Sequence, residues 1–171
     1  MLTDYVVAFL ICKMERIWGK VALQKLLYFV KESGVPIECN FGMHIFGPFS
    51  IEVANSYNLW KAKGIFTEEF TSSGFCFVKG NQCEKYKGSG NRLLKQYMVK
   101  LEEVVNNFGK LRPLELELNA TVHFINKRLK ESYGETNKEN VINEVINEKG
   151  EKFTKKEVRD SYEKLEKLSM V

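Results

Sequence analysis

The stretch from residue 65 to residue 78, IFTEEFTSSGFCFV, decides the fold class, because the apolar residues there change from a helical to an extended period. Apolar and β-prone residues stand on either side of a polar turn that ends at Gly74, a pattern typical of two strands joined by a short loop. A loop of about four residues that contains glycine suits a β-hairpin. We therefore expect a hairpin within a chain whose other segments are mostly helical.

Three helices and one extended segment are predicted before this hairpin. They are a buried first helix from Tyr5 through Ile17 and Trp18 to near Gly19, a second helix from Val21 to Ser33, an extended stretch over 39–47 and a third helix from Ile51 to Lys63. Ser50 is placed to cap the third helix, since a serine hydroxyl accepts a hydrogen bond from the first turn. The order of helix, helix, short strand, helix and hairpin is that of a winged helix-turn-helix.

The chain after Gly90 is predicted to be helical throughout. Residues 79–90 are polar and glycine-rich, which indicates a boundary between a winged-helix-like part at residues 1–88 and a helical part at residues 89–171. The helical part contains four amphipathic segments, and capping-box patterns at Thr136–Glu139 and Thr154–Glu157 open the last two. The sequence therefore predicts an α+β, mostly α protein whose two parts could pack as one unit.

Composition indicates a folded, helix-rich protein of mixed charge. Of its 171 residues, 44% are hydrophobic and 28% are charged, which excludes a disordered or low-complexity chain. The net charge is +4, with 10 basic and 8 acidic residues in 1–88 and 16 basic and 14 acidic residues in 89–171. The isoelectric point of 8.8 falls just short of the value above about 9 that is typical of nucleic-acid-binding domains. Charge alone neither requires nor excludes a polyanionic partner.

Cysteine spacing and hydropathy indicate where in the cell the protein is expected. The four cysteines lack the close pairs of a zinc site, so we interpret them as reduced thiols of a cytoplasmic protein; they are Cys12, Cys39, Cys76 and Cys83. The apolar run at 5–12 is shorter than the roughly 20 residues of a membrane span and has no basic flank of a signal peptide. We expect no metal, no cofactor and no membrane association.

Few residues suggest catalysis. No glycine-rich phosphate loop, nucleophile elbow or paired-histidine motif is present. His44 has no carboxylate, cysteine or histidine partner at a recognisable spacing. Glu115, Asn119 and His123 follow one another on nearby turns of a predicted helix, so a hydrolase or nuclease that uses His123 with Glu115 is a hypothesis. The alternative is a histidine that packs at the edge of the core, and we expect no enzymatic activity.

The third predicted helix would be the recognition helix if the protein binds DNA. Its candidate contact residues, which could read bases or bind phosphates, are Asn55, Ser56, Lys61 and Lys63. However, the first turn of this helix carries Glu52, and the hairpin adds Glu68 and Glu69. Phosphates would repel these carboxylates, so the charges weaken the DNA-binding hypothesis.

Two stretches resemble a known family. Leu23-Gln24-Lys25-Leu26-Leu27-Tyr28-Phe29 and Phe46-Gly47-Pro48-Phe49-Ser50 are similar to the LQKLLYF and YGPxS motifs of YwgA-like proteins and of the phage-associated Panacea, or SocA-like, antitoxin domain. This match covers about residues 19–64, and the stretch from Leu116 to Phe124 is also similar to the YwgA-like proteins, though less specifically. Phe46 stands where that family usually has tyrosine, and the helical half favours the YwgA-like branch. The motif consists of core leucines, a Gly-Pro turn and a serine cap, so it identifies a fold better than a function.

The resemblance implies a mostly helical intracellular protein that acts by binding another protein. We therefore expect a non-enzymatic interaction module of antitoxin or phage-associated type, whose partner is a toxin or protease-type protein. The alternative is a winged-helix transcriptional regulator that binds duplex DNA, which rests on the element order. The amphipathic helices after Gly90 could also supply a homodimer interface.

Overall fold

The computed structural model describes residues 2–171, which form eight α-helices and one small antiparallel sheet of three strands. In chain order the elements are α1 (Leu2–Met14), β1 (Arg16–Ile17), α2 (Gly19–Glu32), α3 (Ile51–Ala62), β2 (Phe66–Thr71), β3 (Gly74–Lys79), α4 (Cys83–Leu94), α5 (Met98–Phe108), α6 (Pro113–Tyr133), α7 (Lys138–Lys149) and α8 (Lys155–Lys167). Short 3-10 turns lie at Lys95–Tyr97 and Gly150–Lys152. The predicted α+β, mostly α class is confirmed.

β3 lies at the centre of the sheet, and β1 and β2 both pair with it antiparallel. The hairpin register ends with Thr71 opposite Gly74, so Ser72 and Ser73 alone connect β2 and β3. The loop is thus two residues long rather than about four, because the strands extend further than the apolar pattern does. Phe77 on β3 is fully buried and joins the sheet to the core.

The first helix ends earlier than predicted, at Met14. Glu15 has a φ of 63°, in the left-handed region where a helix cannot continue. Arg16 and Ile17 then pair with β3. The prediction that the helix continues through Ile17 and Trp18 is wrong, although Ile17 is buried as a core residue should be. Strand β1 leaves no periodic signal in the sequence because it has only two residues.

α2 and α3 form close to the predicted positions. The hydroxyl of Ser50 accepts a hydrogen bond from the backbone N–H of Val53, so the predicted cap of α3 is confirmed. Residues 33–50 separate the two helices, whereas a helix-turn-helix joins its helices by a turn of about three or four residues. The winged-helix interpretation of residues 1–88 stays a prediction.

The polar segment predicted as a boundary forms helix α4 instead. α4 packs along α1, with Cys83 against Cys12 and Gly90 against Tyr5, so the two helices run antiparallel. The segment is polar because only a narrow face of α4 is buried, at Cys83, Gly90 and Leu94. The division between residues 88 and 89 therefore falls inside a helix, and one hydrophobic core contains residues from both sides of it.

α6 is the central helix of the C-terminal half and packs against α2, α7 and α8. The capping box of Thr154 and Glu157 opens α8, as predicted. The box predicted at Thr136 is wrong: α7 is capped by Asn137, whose side-chain oxygen accepts from the backbone N–H of Asn140. Asparagine is a stronger N-cap than threonine, which explains the shift by one residue. Among residues 2–171, no helix is both long and apolar enough to cross a membrane.

Close packing of α1 on α4 makes Gly90 sensitive to substitution. A Cβ at Gly90 would lie 2.6 Å from the Cβ of Tyr5, whereas a Cβ at Gly88 on the same helix would meet nothing within 4 Å. We expect Gly90→Ala to lower the free energy of unfolding by about 1–3 kcal/mol, because α1 and α4 must move apart. Gly88→Ala should raise it by up to about 1 kcal/mol, because alanine favours a helix. Urea unfolding measures both, and equal effects would contradict the packing described here.

Candidate functional site

The two family-like motifs meet at the start of α3. The side chain of Gln24 on α2 bonds both backbone groups of Ser50: its Nε2 donates to the carbonyl oxygen, and its Oε1 accepts from the N–H, each at 2.9 Å. Leu23 and Leu26 are buried in the core beside it. Gln24 therefore fixes the entry of α3 against α2 through a buried pair of hydrogen bonds.

Lys25 is a buried lysine that bonds the backbone of the Gly-Pro segment. This lysine is only 1% exposed, and its Nζ donates a hydrogen bond to the carbonyl oxygen of Pro48 at 2.6 Å. Gly47 has a φ of 78°, and a Cβ there would lie 2.5 Å from Oγ1 of Thr121 on α6. Backbone conformation and close packing thus both require glycine at position 47.

Residues 44–47, directly before Pro48, form a tight turn. We call this segment the tip turn. The backbones of His44 and Gly47 exchange two hydrogen bonds, of 3.2 and 2.9 Å. On either side of it, Gly42 and Phe49 form an isolated antiparallel bridge. The extended stretch predicted over 39–47 is reduced to this single bridge, because the chain reverses too quickly to pair further.

The two central residues of the tip turn are apolar and exposed. Ile45 is 74% exposed and Phe46 is 48% exposed. The ammonium of Lys152 lies 4.9 Å from the centre of the Phe46 ring, a cation–π contact that orients the ring. The tip turn therefore presents an aliphatic and an aromatic side chain on a fixed backbone.

A buried carboxylate lies beneath the tip turn. Glu117 on α6 accepts hydrogen bonds from Lys149 at 2.9 Å and from Lys152 at 2.7 and 2.8 Å. The side chains of Glu117 and Lys149 are each only 3% exposed. Lys149 also donates to the carbonyl oxygen of Ile45 at 2.6 Å, which ties the charges to the tip turn. We call Lys25, Glu117, Lys149 and Lys152 the Glu117 cluster.

Burial sets the electrostatics of this cluster. It lowers the pKa of Lys25 from 10.5 to about 7, while the carboxylate of Glu117 opposes this change and the two other lysines reinforce it. Lys25 can donate to Pro48 as an ammonium or as a neutral amine, so the hydrogen bond survives either state. The cluster can therefore hold the tip turn without placing a full, unpaired charge in the interior.

His123 does not join the predicted polar line. Glu115 bonds Arg112 in a capping box at the start of α6, and the amide of Asn119 donates to the backbone carbonyl of Glu115. The Nδ1 atom of His123 instead lies 2.6 Å from the hydroxyl of Tyr28, on α2. The structure thus does not bring Glu115 to His123, because they stand on different turns of α6 and bond different partners.

The Tyr28–His123 contact is a neutral hydrogen bond. Burial lowers the pKa of His123 to about 4 and raises the pKa of Tyr28, so the phenol donates to a neutral imidazole. Glu32 and Lys127, which form an ion pair at 2.9 Å, influence the pKa of His123 in opposite directions. The histidine packs between α2 and α6, as the alternative interpretation of the sequence holds.

The candidate DNA-contacting residues lie on or just after α3, but most of their polar groups are engaged. Lys61 forms an ion pair with Glu68 at 2.5 Å, and Lys63 forms one with Asp4 at 2.7 Å. The hydroxyl of Ser56 donates to the backbone of its own helix, while Asn55 is exposed. Each of the two lysines is therefore paired with a carboxylate, which reduces its attraction to phosphates.

Within residues 2–171, no group of three histidine, cysteine, aspartate or glutamate side chains is arranged to hold a metal ion. Comparison of the chain with models of known protein families and with curated proteins finds no match in either set. The resemblance to the YwgA-like and Panacea proteins therefore rests on the quoted motifs and stays a prediction.

The buried histidine predicts a pH dependence of stability. In the unfolded chain an imidazole binds a proton below about pH 6.5, whereas folded His123 stays neutral down to about 4. The unfolded state therefore binds more protons in this window, and the free energy of unfolding falls as the pH is lowered from 7 to 4. We expect His123 to account for a loss of roughly 3 kcal/mol over that range.

Urea unfolding from pH 7 to pH 4 compares the wild type with His123→Gln. Glutamine does not titrate and can still accept from Tyr28, so the variant should lack this part of the pH dependence. Carboxylates that titrate in the same window contribute equally to both proteins. Identical pH profiles would contradict the assignment of a depressed pKa to His123.

Proposed function

We propose that this protein is a non-enzymatic interaction module, of the antitoxin or phage-associated type, that contacts its partner protein through the tip turn. One observation carries the proposal. The motif residues Gln24, Lys25, Gly47 and Ser50 all serve to hold the tip turn or the helix that follows it. The side chains that this framework displays, Ile45 and Phe46, are exposed.

Energetics support a functional role for this arrangement. Burying lysine and glutamate side chains is costly, and well-packed apolar residues often stabilise a protein as much or more. A fold that keeps the Glu117 cluster gains a fixed geometry at the tip turn. A fixed surface loses less conformational entropy on binding, and exposed aromatic residues are frequent anchors of interfaces.

Other functions have less support. A winged-helix regulator would need cationic side chains free to meet phosphates, and Lys61 and Lys63 are both ion-paired. A hydrolase that uses His123 with Glu115 would need those side chains to meet, and each bonds another residue. We place the protein in the cytoplasm, where its cysteines would be reduced in the absence of an added oxidant.

The test begins with capture of host proteins on the tagged full chain. Each captured protein is then purified and titrated by calorimetry against the wild type and against the double variant Ile45→Ser/Phe46→Ser. We expect the variant to raise Kd about tenfold or more, because truncating interface anchors costs over 1 kcal/mol. Phe70→Ser is the matched control, since Phe70 is also an exposed aromatic residue, at 80%, but belongs to β2 and not to the tip turn.

Two further arms separate the alternatives. If the partner is a toxin, co-expression with the wild type, but not with the tip-turn variant, should relieve growth arrest. A mobility-shift titration with random duplex DNA at low and moderate salt should show no retardation. Salt-sensitive retardation that Lys61→Ala and Lys63→Ala abolish would favour the regulator instead. A purified partner that binds the tip-turn variant as tightly as the wild type would refute the assigned surface.

A further inference from the structure

Two thiols face each other where α1 packs on α4. The Sγ atoms of Cys12 and Cys83 are 2.9 Å apart, and Cys83 also lies 3.5 Å from the carbonyl oxygen of Ala8. About two helical turns away, Gly90 packs directly against Tyr5, with no room for a Cβ. The glycine contact thus sets the close spacing of the two helices, and this spacing brings the thiols together.

We propose that Cys12 and Cys83 are a redox pair, which a peroxide oxidises to an intramolecular disulfide that links α1 to α4. In the first step the sulfur of Cys12 attacks hydrogen peroxide, the O–O bond breaks, and a sulfenic acid and one water form. In the second step the sulfur of Cys83 attacks the sulfenic sulfur, the S–O bond breaks, and the disulfide and a second water form. Two thiols lose two electrons in total, and the peroxide gains them.

The geometry favours this pairing. A disulfide bond measures about 2.05 Å, so the sulfur atoms need to approach by less than 1 Å from their present distance. Cys12 is 8% exposed and Cys83 is fully buried, which assigns the first step to Cys12. A resolving thiol already in contact with the sulfenic acid captures it before further oxidation.

The surroundings of the two thiols determine how a peroxide reaches them and how fast they react. Burial raises the pKa of both thiols, so they stay protonated at neutral pH and react slowly. α4 contains Gly88 and Gly90, and each interior glycine weakens a helix by up to about 1 kcal/mol relative to alanine. Local opening of α4 admits the peroxide, and reclosure brings Cys83 back to the oxidised Cys12.

Peptide mapping of the wild type tests the pair without any substitution. The native protein is treated with hydrogen peroxide, remaining thiols are alkylated, and the protein is digested without reductant. We expect a monomer that has lost two hydrogen atoms, a linked peptide that joins Cys12 to Cys83, and reversal by dithiothreitol. The midpoint of thermal unfolding should rise by several degrees, because the link restricts the unfolded chain.

Three controls keep the result interpretable. Cys12→Ala and Cys83→Ala should each abolish the link, and circular dichroism checks that each variant folds. Cys39→Ala/Cys76→Ala should retain it. Oxidation in urea should instead favour the link between Cys76 and Cys83, which closes the shortest loop in an unfolded chain. Four free thiols after native oxidation, links to other cysteines, links between chains, or sulfinic acid at Cys12 without a link would overturn the proposal.

Discussion

A carboxylate stays charged in a protein interior only where cations or hydrogen-bond donors surround it, and Glu117 has the ammonium groups of Lys149 and Lys152 within 2.9 Å. These lysines come from the end of α7 and from the 3-10 turn that follows it. Glu117 therefore requires the C-terminal helices to pack on α6 in one arrangement. Because Lys149 also bonds the backbone of Ile45, that arrangement fixes the tip turn as well.

The same constraint explains how distant parts of the chain act together. Lys25 on α2 bonds Pro48 from one side of the tip turn, and Lys149 bonds Ile45 from the other. Gly47, which stands between Ile45 and Pro48 in the chain, packs against α6 near the backbone of Glu117. Three helices thus hold one short turn, and the neutral Tyr28–His123 hydrogen bond joins two of them nearby. In this account the motif residues serve the fold and the binding surface at once.

Much of the fold could be predicted from the sequence, because its signals are local. The hairpin, the cap at Ser50 and the capping box at Thr154 each depend on a few neighbouring residues. Strand β1 and helix α4 were missed, since β1 is defined only by its pairing with β3 and α4 buries only a narrow face. Their structure is set by tertiary contacts.

The candidate site was only half predictable for the same reason. Lys25 and Gly47 stood out through the family-like motifs, but Lys149 and Lys152 did not, and Glu117 lay only in the less specific stretch 116–124. The signal in the sequence was a glutamate between two leucines, Leu116 and Leu118, in a stretch of α6 that the structure buries throughout. Its partners lie 32 and 35 residues further along the chain, a separation that no periodic pattern reveals.

Hydrogen exchange at the tip turn tests most directly whether the Glu117 cluster holds it. Backbone amides of His44, Gly47 and Phe49 are compared between the wild type and Glu117→Gln, with Glu84→Gln, which alters an exposed ion pair, as the control. The account predicts exchange at least tenfold faster at these three amides in Glu117→Gln, with the amides of α1 unchanged and the control like the wild type. Unchanged exchange at the tip turn in a folded Glu117→Gln protein would contradict it.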